Sequence, residues 1–144
     1  MNHPIIRKAQ VKDAPALADL VIQLGYPANE IEITNRLDQA YKLDHHAVFI
    51  AEVDEKVVGW VHIYLCPVLI SQSQAQLGGL VVDSEHRGRG VGRQLMENAE
   101  QWAREHGCEL VSVYTNVIRD DAHRFYSRLG YQQKKTEHFL VKPL

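Results

Sequence analysis

Cysteine, charge of one sign and long apolar runs are all scarce in this chain of 144 residues. Cys66 and Cys108 are the only thiols, which excludes a disulfide-dense scaffold. Both sit in apolar, strand-like runs, which predicts buried, reduced side chains. A formal net charge of −2 argues against a domain whose main task is to hold nucleic acid. The longest apolar stretch, "VVGWVHIYLCPVLI" at 57–70, is too short to span a bilayer and contains His62 and Pro67, so no membrane partner is expected. The opening residues "MNHPIIRKAQ" lack the apolar segment of a secretory signal. A cytoplasmic location is the expectation. The eight histidines include "DHH" at 44–46 but no H-x-x-x-H spacing, so no metal site is predicted.

What is present reads as one mixed α/β domain over residues 1–144, without repeats or linkers. Residues 4–9 read as a first strand. Asp13 is placed to cap a helix with Pro15 in its first turn and Leu17, Leu20, Val21 and Leu24 on one face, ended by Gly25 and Pro27. Asn29 opens a second helix to about Leu43, with Ile33, Leu37, Ala40 and Tyr41 as its apolar side. "AVFIAEV" and "KVVGWVHIYLC" form a hairpin about "DEK", and "AQLGGLVVD" is a fourth strand. Val91, Leu95, Ala99, Trp102 and Ala103 recur at helical spacing, with Gly107 as the stop. A fifth strand "CELVSVYT", a short helix "DDAHRFYSRLG" and a last strand "EHFLVKP" complete the chain.

The most informative stretch is "HRGRGVGRQLM" at 86–96, where a strand gives way to a helix. A glycine-rich turn ahead of a helix can aim several free N–H groups at an anion, and the helix dipole favours negative charge there. Glycine lets the backbone approach phosphate oxygens, and Arg87, Arg89 and Arg93 add charge-assisted bonds. A pyrophosphate is the favoured guest. Two familiar nucleotide motifs fail: Gly92 is followed by Arg93 and Gln94 rather than by Lys and Ser or Thr, and Gly88, Gly90 and Gly92 run G-x-G-x-G rather than G-x-G-x-x-G.

The pattern that does fit is R-x-x-G-x-G, as Arg87, Gly90 and Gly92, after the strand "LVVD". Here the sequence resembles the GNAT superfamily of acyl-CoA-dependent N-acyltransferases. A second block, "TNVIRDDAHRFYSRLGY", resembles that family's closing element through Ala122, Phe125, Tyr126, Gly130 and Tyr131. The two blocks in register carry the resemblance across nearly the whole chain. It implies a mixed, mostly antiparallel sheet of six to seven strands flanked by about four helices, with acetyl-CoA as cosubstrate. It also implies that Arg87, Gly88, Arg89, Gly90, Val91, Gly92 and Arg93 hold the pyrophosphate, while Leu80, Val81 and Val82 offer backbone groups to the pantetheine arm and thioester. Arg119 stands where many members carry asparagine, and Asn116 is the substitute, with Ala122, Phe125 and Tyr126 completing the cofactor site. "TNVIRDDAHRFY" further resembles aminoalkylphosphonate N-acetyltransferases. Such members can carry a carboxylate just before "LVV", where this chain has Gly78 and Gly79.

Direct acetyl transfer to an amine needs a held thioester, an oxyanion donor, a proton acceptor and a proton donor. A backbone N–H near Leu80 or Val81 is the oxyanion candidate, and the glycine pair marks a bulge that would free it. Tyr126, protonated at neutral pH, is the candidate acid for the leaving thiolate. For the acceptor, Trp60, His62 and Tyr64 alternate onto one strand face, and His62 is the candidate. Neither cysteine has an activating partner in sequence, which argues against an acyl-cysteine route. The expected substrate is a small primary amine. An acyl-CoA-binding sensor without catalysis and an acetyltransferase of protein or peptide amines are the competing readings. Edge strands near the C-terminus offer a surface on which two copies could pair as a homodimer.

Overall fold

A computed structural model describes residues 3–144. The hydrophobic alternation and helical periodicity resolve into β1 (Ile5–Lys8), α1 (Ala14–Leu24), α2 (Glu30–Tyr41), β2 (His46–Val53), β3 (Lys56–Leu65), β4 (Gln74–Val82), α3 (Val91–Glu105), β5 (Leu110–Ser112) and α4 (Asp120–Arg128). Short 3₁₀ turns at Val11–Asp13 and Ser84–His86 lead into α1 and the glycine-rich stretch. The five strands form one sheet in the order β1-β2-β3-β4-β5. Its first three pairings are antiparallel and the last, β4 with β5, is parallel. A two-residue turn joins β2 to β3, with Asp54 and Glu55 both at positive φ, the geometry that matches the twist of a tight hairpin.

The sheet buries both faces. Val48 and Ile50 of β2 meet Leu17 and Ala18 of α1 and Ile33 and Leu37 of α2, with Trp60 packed against the same cluster. The alternate residues Ala47, Ala51, Val61 and Ile63 are also buried and point the other way. There α3 presents Leu95, Met96, Ala99 and Trp102, all buried. Gly59 marks how close this packing is: a Cβ on it would stand 3.1 Å from a Leu95 methyl.

Several expectations need correction. Asp13 does not cap α1 with its side chain. Its carboxylate, 5% exposed, instead takes two bonds from the Arg7 guanidinium, at 2.8 and 2.9 Å, and one from the Gln10 N–H at 2.7 Å. Arg7 also donates to Glu52 at 2.9 Å, so one arginine ties β1 to β2 and to the start of α1. That guanidinium holds the Asp13 carboxyl below its ordinary range. Among the described residues the sheet has five strands, not six to seven. Residues 137–143 join no ladder among the described residues, and Phe139, Leu140 and Val141 are exposed. Strand propensity records fitness for a pleated, half-buried surface, and "HFLV" has no hydrogen-bonded neighbour to supply one. The fifth strand is three residues long rather than eight. Cys66 and Cys108 are half-buried rather than buried, because each lies just outside the regular elements.

Contacts divide the chain into a larger unit ending at Val113, which contains the sheet and α1–α3, and a smaller unit, Tyr114–Leu144, which contains α4.

Candidate active site

Strand β4 changes character half-way. Gln74, Ala75 and Gln76 are paired on both sides, with β3 and with β5. Beyond them the ladder to β3 slips by one residue, since Leu77 pairs with Ile63 and Gly79 with His62, leaving Gly78 as the extra residue of a bulge. From there to Val82 the outer edge of β4 has no strand partner among the described residues. Antiparallel alternation turns the backbone groups of Leu80 and Val82 to that edge, where the sheet does not consume them, while those of Val81 are directed at Trp60 of β3.

The strand then runs into an anchored corner. The Asp83 N–H bonds the Val58 carbonyl at 2.7 Å, and Asp83 Oδ1 accepts from Gln23 Nε2 of α1 at 2.8 Å. Gln23 Oε1 in turn accepts from the Ser84 N–H at 3.0 Å, and His86 Nδ1 lies 2.9 Å from Asp83 Oδ2. Gln23 and His86, with their hydrogen bonds, hold the Asp83 carboxyl below its usual range. After this corner Gly88 and Gly90 adopt φ of +76° and +82°, and a Cβ on either would meet nothing within 4 Å. They are glycine for the backbone angle, not for lack of room. Gly90 precedes the first residue of α3 and no side chain caps that helix. Arg87, Arg89 and Arg93 are all exposed around it, and Arg87 Nε donates to the Val82 carbonyl at 3.1 Å, which fixes its root and leaves its terminal nitrogens outward.

On the face of the sheet shared with α1, the rings form a stack. His46 of β2 pairs in register with Tyr64 and Val48 with His62. His46 Nδ1 lies 3.0 Å from His62 Nε2, and the His46 ring stacks on both His62 and Tyr64 at 5.2 Å. The two bulge glycines face these rings. A Cβ on Gly78 would stand 2.5 Å from His62 Nδ1, and one on Gly79 would stand 2.7 Å from the Trp60 ring. Burial, helped by the neighbouring His46, lowers the His62 pKa to about 4, so the ring is neutral at physiological pH. Trp60 Nε1 is buried without a hydrogen-bond partner among the described residues.

The smaller unit holds the remaining candidates. Asn116 Oδ1 accepts from the Ile118 N–H at 3.1 Å, and the Asn116 carbonyl accepts from Arg119 N–H and lies 2.9 Å from His123 Nε2. The oxygen of that side chain thus shapes the turn into α4. Ala122, Phe125 and Tyr126 are half-buried along α4. Tyr126 sits edge-on between Phe125 at 5.2 Å and Tyr131 at 5.6 Å, and burial pushes its phenol up to about 12 against an opposing influence of Arg119. It holds its proton at neutral pH.

Residues 15–131 match the acetyltransferase (GNAT) family. This chain belongs to that family. It is 52% identical over 54 residues, 38% of its own length and 35% of the relative's, to an aminoalkylphosphonate N-acetyltransferase of Salmonella typhimurium. It is 28% identical over 148 residues, 98% of its own length and 94% of the relative's, to an aminoglycoside N(6')-acetyltransferase type 1 of Stenotrophomonas maltophilia. Its fold superposes with a TM-score of 0.88, at 23% identity over 99% of this chain and 96% of the other, on aminoglycoside N-acetyltransferase AAC(6')-Iy in complex with CoA. The chain spans less than half the length of the curated relatives to which it is more than 30% identical.

In this GNAT domain the turn from Arg87 to Arg93 fits a coenzyme A pyrophosphate by its own geometry. It offers two left-handed glycines, an uncapped helix start and three exposed guanidinium groups. The Gln23–Asp83–Ser84 anchor was not legible, because it joins positions about sixty residues apart by single polar side chains. His46 was missed too, although strand alternation from Val48 places it on the His62 face.

Proposed function

We propose that this GNAT domain is an acetyl-CoA-dependent N-acetyltransferase that passes the acetyl group directly to a primary amine of a small molecule. One observation carries the reading: the unpaired half of β4 leads through an anchored corner into a left-handed, arginine-flanked, uncapped helix start. The turn from Arg87 through Gly88, Arg89, Gly90, Val91 and Gly92 to Arg93 holds the pyrophosphate, while Leu80, Val81 and Val82 line the pantetheine arm. Asn116, Ala122 and Phe125 complete the cofactor contacts, and Tyr126 protonates the departing thiolate. Among the described residues neither cysteine has a partner that would make it a nucleophile, and burial pushes the Cys108 thiol up, which favours direct transfer over an acyl-enzyme. The aminoalkylphosphonate and aminoglycoside relatives point to small amines as the substrate class.

The test is thiol release from acetyl-CoA across aminoalkylphosphonates, aminoglycosides, amino sugars, polyamines and amino acids, with a lysine peptide beside them. Release with one small-amine class is the expected result. Release with the peptide alone would move the substrate to protein amines. Silence across the panel with coenzyme A still bound in calorimetry would instead make the domain an acyl-CoA sensor.

A further inference from the structure

We propose that His62 and His46 form a two-histidine proton relay, in which His62 Nδ1 takes the proton of the attacking amine at the Gly78 bulge and His46 delivers a proton to solvent. The inference rests on the acetyltransferase reading above and adds the proton acceptor that a chain with Gly78 and Gly79 in place of a carboxylate still needs.

The geometry supplies each part. His62 has one nitrogen on each side of the relay: Nε2 is committed to His46 Nδ1 at 3.0 Å, and Nδ1 faces the position a Gly78 side chain would fill. Only glycine at 78 leaves that nitrogen approachable, because even one Cβ would stand 2.5 Å from it. Gly78 itself is exposed, so the bulge opens outward at that point. At the other end His46 is only half-buried, which gives it access to solvent water. The Tyr64 ring stacks on His46, holding its plane.

The protons balance as follows. The ammonium form first releases a proton to solvent; as the neutral amine nitrogen then bonds to the acetyl carbon and the C–S bond breaks, that nitrogen becomes acidic and gives one further proton to His62 Nδ1. The His62 Nε2 proton passes to His46 Nδ1, and the His46 Nε2 proton passes to solvent water. The thiolate takes its proton from the acid, which regains one from solvent. Both rings return neutral, each with its proton moved to the other nitrogen, and a ring flip or the reverse transfer through water resets them. A weakly basic imidazole suits this role: it does not compete for a proton with the resting amine, and it accepts one only as the C–N bond forms.

Few charges face His62. His62 is met by His46 from β2, by Tyr64 on its own strand and by the two glycines of β4. The adjoining α1 carries Asp19 as its single ionisable side chain, exposed, and Glu30, Glu32, Arg36 and Asp38 of α2 are exposed as well. Desolvation lowers the His46 pKa, helped by His45, and Lys8, Asp44, Glu105 and His106 lie around it. The acid limb of the wild-type rate should therefore belong to the histidine pair, with activity lost as pH falls toward about 4, where His62 charges.

The test joins kinetics with a measurement on the protein alone. With acetyl-CoA and the most active amine of the panel, His62→Gln should lower kcat about a hundred-fold or more and abolish the acid limb, leaving KM for acetyl-CoA unchanged. His46→Gln should lower kcat about ten-fold and shift that limb, and added imidazole should restore part of the His62→Gln rate. Independently, ¹⁵N-histidine NMR of the wild-type domain at neutral pH, with no amine present, should show His62 protonated on Nε2 and bare on Nδ1. A His62 proton on Nδ1, or a His62→Gln enzyme with wild-type kcat and pH profile, would overturn the relay. A wild-type protein inactive on every amine would overturn the acetyltransferase reading, and the NMR result would still decide the state of the pair.

Discussion

Helices α2 and α3 begin in opposite ways. Asn29 opens α2 from an extended backbone, and its side chain accepts from the Glu32 N–H at 2.9 Å while its amide donates to Glu32 Oε1 at 2.9 Å. Glu30 and Glu32 then set two carboxylates in the first turn, where the dipole favours them. Helix α3 opens from left-handed Gly90 with no side-chain cap and no acid in its first turn, and with arginines where acids would stabilise it. Its start forgoes roughly 1 kcal/mol of capping. The first helix satisfies its donors with its own residues, and the second keeps them for something that arrives from outside. Stability is local at α2, while at α3 it is deferred to binding.

The sharpest way to break the contrast is to fill the open start. Gly90→Glu places a carboxylate and a Cβ at φ +82°, where side chains are strained whatever the space. Coenzyme A affinity should fall at least a hundred-fold in calorimetry, with the fold retained by circular dichroism. Unchanged affinity would remove the phosphate from this turn.

A smaller and more selective effect should separate holding the cofactor from using it. Tyr126→Phe removes a phenol that burial keeps protonated. Turnover should fall by about ten- to ten-thousand-fold, with coenzyme A affinity close to wild type. A wild-type turnover would leave Tyr126 as a packing residue between Phe125 and Tyr131.

What the sequence disclosed follows the range of the forces involved. Val91, Leu95, Ala99 and Trp102 define α3 because its apolar stripe is a local pattern, and "GG" announced the β4 bulge because glycine there has a local meaning. Asp13 looked like a cap for the same local reason, yet Arg7 outcompetes the helix for its carboxylate with two charged bonds. The "EHFLVKP" stretch has strand composition and no strand, since a ladder depends on a partner that composition cannot specify. The site divides likewise. Its glycines and arginines were legible one by one, whereas the His46–His62 contact required the register of β2 on β3.

The mildest perturbation completes the comparison from the other side. Asn29→Ala removes the cap of α2 and frees Glu32, whose remaining partner is Arg36 at 3.5 Å on an exposed surface. The loss should be about 1 kcal/mol, seen as a Tm lower by about 3 °C, because the orphaned N–H groups can turn to water. Coenzyme A affinity should not change, since no donor of the α3 start is involved. If affinity did fall with Tm, the α2 start would be coupled to the cofactor turn, and the route would run through α1, whose Gln23 grips Asp83 and Ser84. An unchanged affinity with lowered stability keeps the two helix starts independent, one built for the fold and the other for its ligand.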